Sequence, residues 1–243
     1  MRSRAVVFDL YETLVTEFES GWQPQPAPAE RLGIQPEIFD RVWRARKADR
    51  MTRTVDYRDV LREACEAAGA VPPASVEPII ATLYAERLDT KAGPLLDVER
   101  PVLDALRVLR DMGYKLALVS NCSVEEVAAW ERSPLAPMFD DVLFSYRVGI
   151  AKPAGAIYVE ACARLQVLPE HCAYVGDGGS DELAGAALAG MTAYCARWFL
   201  DRWPAWRRSR TDAANAAFPQ LSSPAELLSV IGVDQQPTAG EAT

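Results

Sequence analysis

The sequence predicts an α/β fold, a doubly wound parallel sheet with an inserted α-helical unit. Three observations in the 243 residues predict it. Five short apolar runs stand out: Ala5–Phe8, Tyr114–Val119, Val142–Phe144, Cys172–Val175 and Thr192–Cys195. Near-continuous apolar runs of this length suit strands buried on both faces, as in a parallel sheet. Helical patterns separate most of them, and strand–helix alternation marks doubly wound domains. The third observation is an interruption. Residues 17–93 contain no strand-like run and read as helices alone.

Each element has its own signal. The first strand ends at Asp9 and the insert follows soon after. Helices are expected at Pro36–Ala48, Tyr57–Ala68 and Ser75–Leu88, divided by turn signals at Gly69 and Pro72-Pro73. Trp22–Pro28, with three prolines, reads as a linker, and Ala92-Gly93-Pro94 as a second hinge. Pro101–Met112 carries Val102, Leu103, Leu106, Val108 and Leu109 at helical spacing, and Gly113 follows as a stop. Ser123-Val124-Glu125-Glu126 is a capping-box pattern that predicts a helix through Trp130. Pro153–Leu165 has proline in its first turn. Asp181–Ala189 closes at Gly190, and Ser223-Pro224-Ala225-Glu226 caps the last helix. The expected domains are an α/β core from residues 1–16 and 94–233, a helical cap at 17–93, and a flexible polar tail at 234–243.

Composition narrows the chemistry. Lys and Arg number 26 against 34 Asp and Glu, leaving a net charge of −8. Nucleic-acid binding rests on clustered cations, so no nucleic-acid partner is expected. No uncharged run approaches the roughly 18 residues of a membrane span. The only histidine is His171, read as a surface residue at a strand start. One histidine excludes multi-histidine metal sites and the H-E-x-x-H proteases. The five cysteines include no C-x-x-C pair and read as reduced, buried thiols, which fits a cytoplasmic location. Trp198-Phe199, Trp203 and Trp206, followed by Arg207-Arg208 and Arg210, form an aromatic–basic stretch. It reads as a flap beside the site or as an oligomer contact, in a monomer or homodimer.

Open α/β sheets bind ligands beyond the carboxyl ends of their strands. The residues at those ends are Asp9, Ser120-Asn121, Lys152 and the Gly176-Asp177-Gly178-Gly179-Ser180-Asp181 loop. A carboxylate can act as nucleophile toward phosphorus or carbon. A second carboxylate beside it calls for a cation, and Mg²⁺ takes oxygen ligands from one or two carboxylates. Lysine and hydroxyl groups steady the transferring group as its charge shifts. Gly178-Gly179 ahead of a helix lets backbone N–H groups approach an anion.

These motifs, in this order, resemble those of the haloacid dehalogenase superfamily: Asp9-Leu10-Tyr11-Glu12-Thr13-Leu14, Val119-Ser120-Asn121, Lys152-Pro153, and Val175-Gly176-Asp177 through Asp181. The resemblance spans nearly the whole chain, and the insert resembles the α-helical cap of the family's first subclass. It implies Asp9 as nucleophile, with Thr13 in the same motif. It places Ser120 and Lys152 on the substrate anion, with Asn121 shaping the pocket. Asp9, Asp177 and the backbone carbonyl of Tyr11 would hold Mg²⁺, and Asp181 would be an outer ligand or orient Lys152. The organic part of a small-molecule substrate would meet insert residues such as Trp22, Trp43, Arg44 and Arg46. Two departures pull in different directions. Phosphatases of the family usually carry a second Asp as general acid where this chain has Tyr11, and Glu12 replaces the usual Gly. Glu12 would take over the acid/base role only if it projects toward the site. The family's dehalogenases carry Tyr at the first position and a Trp-Arg pair resembling Trp43-Arg44. They lack the metal-binding acid that Asp177 retains. The readings are therefore a Mg²⁺-dependent phosphate-ester hydrolase, a 2-haloacid dehalogenase, or a weakly active binding member.

Overall fold

A computed structural model describes residues 5–18, 27–69, 73–205, 208 and 215–232. Trp22 and most of the proline linker, Pro72, Trp206-Arg207, Arg210 and the expected 234–243 tail lie outside the described residues. Six strands form one parallel sheet: β1 Ala5–Phe8, β2 Lys115–Ser120, β3 Asp141–Phe144, β4 Cys172–Gly176, β5 Thr192–Ala196 and β6 Gln220–Leu221. Their order is β3-β2-β1-β4-β5-β6. The five expected strands agree to within a residue at each end. β6 has two residues, too few to leave an apolar signature.

The strand faces explain the two cores. Val6, Phe8, Leu116, Leu118, Ala173 and Val175 pack on one side with α6 (Arg100–Asp111) and α10 (Pro224–Gly232). Ala5, Val7, Ala117, Val119, Cys172 and Tyr174 pack on the other with α8 (Gly155–Leu165) and α9 (Glu182–Leu188). Successive side chains on a strand point to opposite faces, so both faces need apolar residues. A short helix, α7, spans Ser145–Val148.

The insert has a core of its own. It is built from α1 (Pro28–Leu32), α2 (Pro36–Ala45), α4 (Tyr57–Ala68) and α5 (Pro73–Leu96), with Leu32, Phe39, Leu61 and Ile80 among its buried residues. The expected Pro36–Ala48 helix breaks at Arg46 into α2 and α3 (Lys47–Thr52). The expected hinge at Ala92-Gly93-Pro94 is instead the last turn of α5, where the Asp97 N–H donates to the Gly93 carbonyl. Leu95, buried in the sheet core, anchors that turn. α5 thus belongs to both cores.

Half of the capping box at Ser123 forms: the Ser123 N–H and hydroxyl both donate to Glu126 Oε2 at 2.8 and 3.0 Å, while the Glu126 N–H donates to the Ser123 carbonyl rather than to the hydroxyl. The helix it predicted does not form. Two 3₁₀ turns replace it, Glu125–Val127 and Trp130–Arg132. The Glu126 carbonyl, which an α-helix would pair with the Trp130 N–H, takes the Tyr11 hydroxyl at 2.5 Å. Within the aromatic stretch, the expectation is corrected at Trp203. Trp203 is buried in the sheet core and is no flap or outer contact. His171 is half-buried in a 3₁₀ turn just before β4, at the strand start as expected.

Candidate active site

β1 and β4 are neighbours, yet the chain leaves them toward opposite edges of the sheet. A crevice opens between their carboxyl ends. Asp9 follows β1 directly, and its N–H donates to the Val175 carbonyl at 2.9 Å. Asp177 follows β4, and both carboxylates are buried. Ser120 is buried at the end of β2. Asn121 next to it grips the Lys152 backbone twice. Its Nδ2 donates to the Lys152 carbonyl at 2.9 Å, and its Oδ1 accepts the Lys152 N–H at 2.8 Å. This pair brings the loop before α8 to the crevice. Lys152 Nζ then donates to Asp9, to Glu182 Oε2 at 2.5 Å, and to the Tyr174 hydroxyl at 3.2 Å. Thr13 Oγ1 donates to Asp9 Oδ2 at 3.3 Å.

Glu182 is the residue that sequence reasoning missed. Asp181 was expected to orient Lys152, but it is exposed, with φ 53°. Glu182, one residue on, is buried and does the orienting. One step along a helix is a turn of about 100°. The buried face of α9 carries Glu182, Leu183, Gly185 and Ala186. An acid in register with Gly185-Ala186, at i+3 and i+4, was the available signal. Gly176 makes room for it, because a Cβ there would lie 2.2 Å from Glu182 Oε1. The loop amides are committed to these acids. Gly178 N–H donates to Glu182 Oε1 and Gly179 N–H to Asp177 Oδ1, each at 3.0 Å. The glycines that were expected to face a substrate anion thus hold the site's own carboxylates.

Asp9, Asp177 and Glu182 offer oxygens that lie within 4.8 Å of one another. The cluster sets three acids against one lysine, and proton affinities respond. Burial, with Asp177 adding to it, raises the Asp9 carboxyl against the pull of Lys152. Burial, then Asp9 and Asp177, push Glu182 up to about 8. Burial opposes the Lys152 charge, but Asp9 and Glu182 outweigh it and hold the ammonium above its ordinary range.

Other expected site residues lie elsewhere. The Tyr11 side chain turns to the Glu126 carbonyl and lies under Lys91 Nζ, 4.9 Å from the ring centre. Burial, then Glu17 and Glu126, raise its hydroxyl well above the usual range. Glu12 adopts the left-handed φ of 64° that favours glycine. Its carboxylate accepts from Thr16 Oγ1 at 2.7 Å and from the Glu17 N–H at 3.0 Å. It braces its own turn rather than standing as an acid beside Asp9. Arg44 is 76% exposed on an ion pair with Asp40, and Arg46 pairs with Glu63 and Asp49. Trp43 packs between Phe39 and Tyr57. Over its ring lie Arg50, at 3.7 Å, and Arg87, at 5.6 Å. Arg50, 3% exposed, crosses to Glu125, 2% exposed, at 2.8 Å and to Ser123 at 3.2 Å. Arg87 joins Glu125 and Glu126, and Lys91 joins Glu126 and Glu17. Beside these cations opens a cavity of about 540 Å³, lined by residues including Arg31, Tyr57, Arg87 and Lys91. Trp198, in the loop after β5, donates its indole N–H to the Thr13 carbonyl at 2.8 Å.

Comparison with known proteins follows the same lines. A family model described as haloacid dehalogenase-like hydrolase matches residues 3–190. Glyceraldehyde 3-phosphate phosphatase of Methanopyrus kandleri is 38% identical over 91 residues, 37% of this chain and 39% of the relative. The chain thus matches about two fifths of that relative's length. (S)-2-haloacid dehalogenase 4A of Burkholderia cepacia is 28% identical over 201 residues, 77% of this chain and 80% of the relative. Among solved structures, a 2-haloacid dehalogenase from Pseudomonas syringae pv. tomato shares the fold, with a TM-score of 0.63 at 24% identity over 97% of this chain and all of the other. Among the described residues, no helix is long and apolar enough to cross a membrane.

Proposed function

The chain belongs to the haloacid dehalogenase-like hydrolases, and from that premise we propose that it is a Mg²⁺-dependent phosphatase of a small phosphate monoester. The observation that supports this most is the cluster of three buried carboxylates at the strand ends, Asp9, Asp177 and Glu182. Buried carboxylates need partners, and Lys152 pairs with Asp9 and Glu182. The donor set is all oxygen, which fits a hard divalent ion. Asp9, Asp177 and Glu182 would hold it, with the Tyr11 carbonyl as a further candidate. When bound, Mg²⁺ would offset the charge of these acids and of the phosphoryl oxygens.

In this reading Asp9 attacks phosphorus, the P–O ester bond breaks, and the leaving oxygen takes the electron pair. The product is an aspartyl phosphate, which water then hydrolyses. Lys152 and Ser120 hold the transferring group, and Asn121 holds Lys152 in place. Residues 1–16 and 94–233 serve as the hydrolytic core. Residues 17–93 act as the cap, with the cavity by Arg87 and Lys91 for the organic part, and 234–243 as the tail. Tyr11 and Glu12 both turn to other partners, so neither stands as the general acid for the leaving group. Such an acid is typically worth about 10²–10⁴-fold. Substrates whose leaving oxygen needs no proton are therefore favoured.

Tyr11 in place of a second Asp supports one further reading, 2-haloacid hydrolysis, although the surface position of Arg44 leaves no halide-binding role for it. A panel of aryl phosphates, alkyl phosphates and 2-chloropropionate, each with Mg²⁺ and with EDTA, separates them. The expected result is Mg²⁺-dependent aryl phosphate turnover, at least about 10²-fold faster than for alkyl esters. Halide release in EDTA would establish the dehalogenase instead. Binding without turnover of either class would leave a non-catalytic member.

A further inference from the structure

We propose that Cys162 and Cys172 are a redox-closable thiol pair, a disulfide site one layer beneath the catalytic carboxylates. The two sulfurs lie 3.4 Å apart. Both cysteines are free and buried, on the α8–β4 interface. A disulfide needs about 2.05 Å, so closure asks for an approach of only about 1.4 Å. The hydrogen bond between them lowers the Cys162 thiol and raises that of Cys172. One member therefore ionises first, and a thiolate is what disulfide chemistry requires. The connection from Gln166 to His171 runs over the surface, with Leu168 60% exposed. Local opening of such a loop admits a small reagent.

The coupling to the site follows from two periodicities. Tyr158 is four residues before Cys162, on the same helix face. Tyr174 is two residues after Cys172, on the same strand face. The two tyrosine rings meet edge to face at 5.3 Å. Tyr158 donates to the Glu182 carbonyl at 2.9 Å, and Tyr174 donates to Glu182 Oε2 at 2.7 Å. The cysteine layer supports the tyrosine layer, and the tyrosine layer holds Glu182. Drawing α8 toward β4 shifts Glu182 and, through it, Lys152. A misplacement of about 1 Å in a site can cost ~10²-fold in rate.

The closing step balances with a named oxidant. Two S–H bonds break and one S–S bond forms. Diamide, a diazene, takes the two protons and two electrons and becomes the hydrazine. The test treats the folded chain with diamide and digests it without reductant. The expected result is a peptide joining Cys162 to Cys172, a loss of 2 of the 5 titratable thiols, and restoration by dithiothreitol. Cys162→Ser, or Cys162→Ala should the serine fold poorly, removes the linked peptide. Absence of that link in wild type, or linkage through other cysteines, overturns the proposal. The coupling rests on the phosphatase reading. It predicts about a 10-fold or larger reversible fall in kcat for an aryl phosphate in wild type only. Linkage with unchanged kcat overturns the coupling. The peptide readout needs no substrate, so failure of the phosphatase reading is told apart from failure of the thiol pair.

Discussion

Two buried ionic clusters lie within this chain, and they differ in how their charges add. At the boundary between insert and sheet, Arg50, Arg87 and Lys91 face Glu17, Glu125 and Glu126, three against three. At the strand ends, three acids, Asp9, Asp177 and Glu182, gather within 4.8 Å of one another, and Lys152 pairs with Asp9 and Glu182. The first cluster matches each acid with a cation. It fastens α3 and α5 to the loop after β2. The second packs carboxylates so closely that they raise one another's proton affinity, and a bound cation would relieve that repulsion. Like-charge crowding, rather than burial, separates the two clusters.

Substitutions can break this comparison, beginning with the largest effect. Asp9→Asn should abolish aryl phosphate turnover by at least about 10³-fold with folding intact, read by steady-state kinetics and circular dichroism. Arg50→Ala should destabilise by about 1.5–3 kcal/mol, because it removes one of the two cationic partners of buried Glu125 and leaves only Arg87. Denaturant titration measures it.

The pH response of the boundary cluster is next. Burial alone would raise Glu126, but Lys91, Arg87 and the Ser123 amide outweigh it and bring the carboxyl down to about 2. A lowered pKa means that the native state favours the charged form. Its contribution is complete above the ordinary value near 4.5 and is lost as pH falls toward about 2. The contribution is about 3 kcal/mol at most, at ~1.4 kcal/mol per pH unit. Glu126→Gln should flatten the stability profile across that window while leaving it unchanged in shape near pH 7.

At the strand ends the sign reverses. Asp177→Asn should raise the melting temperature without metal, by relieving its repulsion of Asp9 and Glu182, and should shrink the rise that Mg²⁺ produces. A fall in metal-free stability would mean that the contacts of Asp177 outweigh that repulsion. The smallest effect belongs to Arg44→Ala, which should leave melting temperature and kinetics unchanged, as exposed ion pairs contribute little.

The strands and the strand-end residues were readable because a parallel sheet buries whole runs. Ala5–Phe8 and Cys172–Val175 announce both their own burial and the residues that follow them. Asn121 and Lys152 were readable as site residues, although the bidentate grip between them was not. Errors arose where a side chain's direction decided the role. Asp181 and Glu182 are adjacent acids, and only the packed face of α9 chooses between them. Arg44 and Arg50 are both cationic neighbours of Trp43, and the break at Arg46 sends one to solvent and the other across the boundary. Glu12 takes a glycine's backbone conformation and spends its carboxylate on its own turn. Trp203 joined an aromatic–basic pattern in sequence yet is core in space.

The sequence by itself determined the sheet, the inserted helices and the acids and lysine at the strand ends. Strand burial and helix periodicity are local patterns, and local patterns are written in neighbouring residues. Only the tertiary structure decided which acids reach Lys152, which arginine crosses to the core, and which charges meet in each ionic cluster. Those outcomes depend on charges brought together from distant parts of the chain, and Coulomb energy is set by distance in space.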